Sequence, residues 1–153
     1  LYTNEQGEPL VAIPGQSAGF YSVSTDKPSQ AFWSVGIAAA ILSLVHILTG
    51  QGTYLDASRQ YNDFLMKCHD DAAASFGCWK QCWACCLLYR VTGETVFKDK
   101  AITILDYLAG YQDDDGAWRF GQDLGIPDED DAIVFNLTSE LILWFHELPK
   151  YLA

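Results

Sequence analysis

Basic residues are scarce in this chain, with 9 Lys and Arg against 20 Asp and Glu and a formal net charge of −11. Binding to a phosphate backbone rests on clustered cations, so nucleic acid is set aside as a partner. A clear membrane-spanning run is missing too. The most apolar stretch, Ala31 to Leu48, contains Trp33, Ser34, Gly36, Ser43 and His46. It is too short and too mixed for a span, so it reads as a buried helix and no membrane span is expected. No glycine-rich phosphate loop, nucleophile elbow or HExxH pattern occurs, which argues against nucleotide chemistry. No basic n-region with an apolar stretch precedes a cleavage site, and a chain starting at Leu1 is expected to be processed or trimmed.

What is present is a chain of 153 residues, half of them apolar, enough for one domain with a substantial core. Five cysteines, an odd number, fall between Cys68 and Cys86. Four of them crowd one helix, a poor framework for several disulfides, so a reducing, cytoplasmic setting is expected. Cys78, Cys82 and Cys85 share a helical face with Cys68-His69 just upstream. No CxxC pair is followed by a second pair, and the cysteines read as small packing residues, with no metal expected. Asn136-Leu137-Thr138 matches the glycosylation acceptor pattern, inside an apolar helix where a sugar would obstruct packing.

Residues 1–29 hold Gly7, Pro9, Pro14, Gly15, Gly19 and Pro28 and read as an extended N-terminal segment. The domain, 30–153, is predicted to be all-α. Apolar spacing and stop signals place helices near 30–48, 53–68, 78–91, 96–111 and 131–148. Ser29 is the expected N-cap of the first, and Gly50 and Gly93 end the first and third. A shift of 43 positions lays the first helical hairpin over the second. Thr49-Gly50 falls on Thr92-Gly93, Tyr54 on Phe97, Leu65 on Leu108, and Asp70-Asp71 on Asp113-Asp114. Helices that are apolar nearly all round alternate with one-faced ones, the pattern of an inner and an outer layer.

These residues resemble the α/α toroids of terpenoid cyclases and protein prenyltransferases, a superfamily that includes six-hairpin carbohydrate-active enzymes. The likeness covers about residues 24–148. Lys100-Ala101, Tyr107-Leu108 and the run Gln112 to Trp118 are similar to the QW repeat of squalene cyclases, in which Gln and Trp tie an outer helix to the next inner one. Ala109 and Gly110 depart from its aliphatic run. The run from Pro127 to Ala132 looks like the D-x-D-D motif of class II terpene cyclases, without the Thr that usually follows. The resemblance implies about half of a six-hairpin barrel, completed by a second chain, a homo-oligomer or a missing N-terminal half. It implies Asp128, Asp130 or Asp131 as the acid that protonates substrate. The residues by themselves favour a cap for the last helix over a catalytic acid.

If the first, third and fifth helices run the same way, their N-termini converge on one mouth, the default pocket. Tyr21, Asp26, Trp33, Phe76, Trp79, Lys80, Trp83 and Trp118 are the expected substrate-binding residues, and His69, beside Asp70 and Asp71, is a candidate general base. Aromatic walls suit a hydrophobic, unsaturated substrate because ring faces stabilise developing positive charge. The leading expectation is a cofactor-independent cyclase or isomerase acting on a terpenoid or polyketide-like molecule. The alternatives are a carbohydrate-processing enzyme with Asp26 and Asp130 as paired carboxylates, and a non-enzymatic helical-repeat interaction domain.

Overall fold

A computed structural model describes residues 22–121 and 131–153. Among these the chain is all-helical, without strands. The helices are α1 (Phe32–Thr49), α2 (Gly52–Met66), α3 (Trp79–Thr92), α4 (Thr95–Gly110) and α5 (Asp131–Glu147), with 3₁₀ turns at Asp70–Ala73 and Leu148–Tyr151. Most of the N-terminal segment 1–29, and all of 122–130, lie outside the described residues.

The two hairpin turns share the same backbone and threonine hydrogen bonds. Gly50 and Gly93 close α1 and α3 at φ 70° and 72°, a left-handed conformation that costs any other L-residue energy. Their N–H groups donate to the His46 and Tyr89 carbonyls, both at 2.7 Å. The Thr49 hydroxyl donates to Val45 O at 2.7 Å and the Thr92 hydroxyl to Leu88 O at 2.8 Å. Each hydroxyl then accepts the N–H two residues on, from Gln51 at 3.3 Å and Glu94 at 3.2 Å. The 43-residue shift is thus a repeat of structure as well as of letters.

The start of α1 differs from expectation. Ser29 is not its cap; it sits at φ 53°, and its N–H donates to Asp71 Oδ2 at 2.7 Å. Gln30 folds back on the preceding turn, accepting from Ser24 N at 2.7 Å and donating to Ser24 O at 2.9 Å. Such side-chain clamps compete with helix formation, and α1 begins at Phe32.

Packing within each hairpin is antiparallel. Phe32 meets Leu65 at one end of the α1/α2 pair, and Ser43 Oγ lies 2.8 Å from Ser58 Oγ toward the other. Ser58 also donates to Ala39 O at 2.7 Å. At the equivalent crossing of α3 and α4 the polarity is reversed, with Cys82 Sγ donating to Ala101 O at 3.5 Å. Small side chains let the helices approach at both places. Between hairpins the approach is closer still: a Cβ on Gly36 of α1 would lie 2.7 Å from Gln81 N of α3.

Helices α1, α3 and α5 form a parallel row. Gly36 meets Gln81, and further along Ala40 and Leu44 cluster with Ala84 and Leu87. On the other side Trp79 bonds Glu140, and four residues later Trp83 meets Trp144. Helices α2 and α4 are not in the middle. The main core gathers on α3, where Trp79, Cys82, Cys85, Cys86 and Leu88 pack with Phe97, Ile104 and Leu108 of α4 and Leu141 of α5. Trp118 seals the α4–α5 junction: its indole donates to Leu108 O at 2.7 Å, its backbone N–H to Thr138 Oγ1 at 3.1 Å, and its ring stacks on Phe145. Helix α1 is long and apolar enough to cross a membrane, a test that core helices of soluble proteins also pass.

Candidate functional site

The first turn of α3 carries Trp79 and Lys80, and one turn on comes Trp83, so Lys80 and Trp83 share a side of the helix three positions apart. Opposite them on α5 stand Glu140 and Trp144, four apart on one face. Glu140 Oε1 draws these elements together. It accepts from Trp79 Nε1 at 3.0 Å, from Trp144 Nε1 at 2.9 Å, and from Lys80 Nζ. No hydrogen bond among the described residues falls on Oε2. The Lys80 ammonium also lies 5.6 Å from the Trp79 ring centre and 5.1 Å from that of Trp144. Such ring contacts stabilise a cation through the indole quadrupole.

The ion pair is half-buried, with Lys80 18% and Glu140 32% exposed at the side chain. Burial pushes the Glu140 carboxyl up, but hydrogen bonds from Lys80, Trp144 and Trp79 outweigh it and hold the group below the ordinary glutamate range. Glu140 is therefore a fixed anion rather than a proton donor. Around it an aromatic shell continues: Trp83 packs on Trp144 at 5.1 Å, and Phe76 meets Trp79 edge-on at 5.3 Å. At the far end of the row the C-terminal turn covers α3. Tyr151 packs on the Ala84–Leu87 cluster beneath the Arg90 guanidinium, and Lys98 Nζ anchors the turn by donating to Leu152 O at 2.7 Å. The tryptophans and the Lys80–Glu140 pair thus lie toward the N-terminal end of α3.

Of the residues expected from sequence, Phe76, Trp79, Lys80 and Trp83 come together here. Trp33 stands at the start of α1, half-exposed, against Gly77. Trp118 is buried at the α4–α5 junction. Asp26 is exposed in the turn before α1, and Asp131 is exposed at the first position of α5. His69 caps the 3₁₀ turn that follows α2 and lies 2.9 Å from Asp71 Oδ1. Tyr21, Asp128 and Asp130 lie outside the described residues. Gln112 bonds within its own loop, donating to Gly116 O at 2.8 Å, so of the Gln–Trp pair only Trp118 bridges α4 and α5. Asn136 is exposed on α5, and the packing objection to a sugar there does not hold.

Glu140 and Trp144 were missed by sequence reasoning. The signal was available: between Ala132 and His146, Glu140 is the lone Asp, Glu, Lys or Arg in a strongly apolar helix, and a solitary charge in such a setting is kept for a partner.

No disulfide joins any of the five cysteines. Burial pushes the Cys85 thiol up to about 12, and the hydrogen bond with Cys86, then burial, raises Cys82 well above the usual range. These are neutral packing thiols at physiological pH. Among the described residues no group of three or more His, Cys, Asp or Glu is placed to hold a metal ion. No family model, no curated protein and no solved structure matches the chain.

Proposed function

We propose that the chain is part of an α/α toroid, with α1, α3 and α5 as inner helices, and that it acts without a cofactor as a cyclase or isomerase on a hydrophobic, unsaturated small molecule. The observation that carries this reading is the packed Trp83–Trp144 pair, whose Trp144 indole binds the immobilised Glu140 carboxylate. Indole faces exclude water and stabilise positive charge as it develops on a carbon skeleton. The fixed Glu140 carboxylate balances the Lys80 ammonium over the Trp144 ring, so the site sets no net positive charge against a developing cation and needs no reorganisation during the reaction. Because Glu140 is held ionised, the initiating proton is assigned elsewhere, to the acidic run Asp128, Asp130 and Asp131.

A second reading, carbohydrate processing, draws on the Lys80–Glu140 pair beside the indoles. Charged hydrogen-bonding groups next to ring faces also suit a sugar with polar edges and an apolar face.

Titration of tryptophan emission separates the two. The expected result is saturable binding of farnesol, weakened at least tenfold in Trp83→Ala, with no response to cellobiose. Saturation by cellobiose alone would replace the first reading with the second, and silence toward both probes at millimolar concentration would overturn both.

A further inference from the structure

The two outer helices of the α1–α3–α5 row, α1 and α5, each leave an apolar face uncovered among the described residues. Trp33, Ile41 and Leu48 are exposed along α1, Leu48 to 83%, and Phe135, Ile142 and Leu143 along α5, Phe135 to 75%. Helix α1 contains no Asp, Glu, Lys or Arg over its 18 residues. Exposed stripes of this kind are uncommon on a monomer and mark an interaction face.

We infer that this face is covered by a second copy of the chain, which completes the wall around the Trp83–Glu140–Trp144 site. Two observations select a second copy. The first is area. Taking about 200 Å² for a fully exposed large side chain, these six leave roughly 700 Å² open per copy. A pair would remove about 1,400 Å², within the range of stable specific interfaces. The second is geometry. Three parallel helices with apolar exposure on both outer members, α1 and α5, are self-complementary under a two-fold axis along the row's helix direction. Two copies then set six helices side by side, all running the same way, with α1 of each beside α5 of the other. The exposed stripe on α5, Phe135, Ser139, Ile142 and His146, carries an acid only at its start, where Asp131 lies one turn before Phe135. The repulsion of two chains of charge −11 therefore acts mainly from outside the contact and is screened by salt.

The catalytic reading is not required for this association, and the test keeps the two apart. Sedimentation of the 153-residue chain should give twice 17.0 kDa, with a Kd that tightens as sodium chloride is raised. Ile41→Glu and Phe135→Glu alter exposed side chains; each should weaken the dimer by roughly a hundredfold while leaving the far-UV circular dichroism unchanged. Trp83→Ala should remain dimeric even if farnesol binding is lost. A mass of 17.0 kDa at every concentration and salt, or a dimer that survives both glutamates, overturns the inference. So does pelleting of the chain with neutral phosphatidylcholine vesicles, which would make lipid the occupant.

Discussion

Helices α1 and α3 hold equivalent places in two hairpins with the same turn, yet their burial is the reverse of their composition. Helix α1 has no charged residue and buries 5 of its 18 residues, whereas α3 carries Lys80 and Arg90 and buries 8 of 14. The difference lies in neighbours. Helix α3 has α1 on one side, α5 on the other and α2 and α4 behind it, while the main neighbours of α1 among the described residues are α2 and α3. Apolarity states what a helix needs to bury, and the surrounding elements decide what it does bury.

The largest expected effect tests that contrast at two tryptophans. Trp79 is 1% exposed and touches Phe76 and Phe120 while donating to Glu140. Trp79→Ala should cost about 3–5 kcal/mol in urea unfolding. Trp33→Ala, on the half-exposed start of α1, should cost about 1 kcal/mol or less. Equal losses would mean that α1 is as enclosed as α3. If the second copy covers α1, the Trp33 loss should grow with protein concentration.

A smaller effect is expected at Gly36, which the 43-residue shift places opposite Trp79. The same register thus holds the smallest side chain in one hairpin and the largest in the other. A methyl group at position 36 would sit 2.7 Å from Gln81 N and 2.9 Å from Lys80 C, both backbone atoms that cannot swing away. Gly36→Ala should therefore destabilise by about 1–3 kcal/mol, although alanine in a helix interior is otherwise favoured over glycine by about 1 kcal/mol. A net gain in stability would show that α1 and α3 can separate at no cost.

Where the hairpins are alike, substitutions should act alike. A Cβ on Gly50 or Gly93 meets nothing within 4 Å, and both residues have positive φ, so alanine at either reports backbone conformation alone. Each replacement should cost about 1 kcal/mol, and the two should agree within a few tenths. A clear inequality would mean that one turn is strained by its surroundings and that the repeat is less exact than its hydrogen bonds indicate.

Much of this was legible in the residues. Thr-Gly turns, apolar periodicity and the 43-residue shift place all five helices, because capping and amphipathicity are local properties read within a few positions. The start of α1 was misjudged because Gln30 and Ser29 engage Ser24 and Asp71, and Asp71 is a long-range partner. The site was half legible. Phe76, Trp79, Lys80 and Trp83 follow from one helix start, whereas Glu140 and Trp144 enter only when α5 is laid beside α3. Their pairing spans about sixty positions of sequence, as the Lys80–Glu140 contact shows, and no periodicity within a helix encodes that register.

The smallest effect concerns this cross-helix tie. With three donors on one oxygen, the Glu140 carboxyl sits below the ordinary glutamate value of 4.5, hydrogen bonds overcoming the opposing effect of burial. A carboxyl whose folded value lies below its unfolded value stabilises the fold above the unfolded value. That contribution fades as pH drops below 4.5 and through the folded value. Glu140→Gln removes the titrating charge and keeps the shape. The Tm gap between the wild-type chain and the variant should therefore be widest near neutrality and close as pH is lowered from about 6 to about 3. The pair is part-exposed, so the gap should be modest and narrowed by salt. A gap that stays constant across this range would show that Lys80 and the two indoles hold Glu140 by shape and hydrogen bonding without drawing on its charge. Helix α5 would then be tied to α3 by packing and hydrogen-bond geometry without net charge, as α1 is tied to it by Gly36 and Ala40.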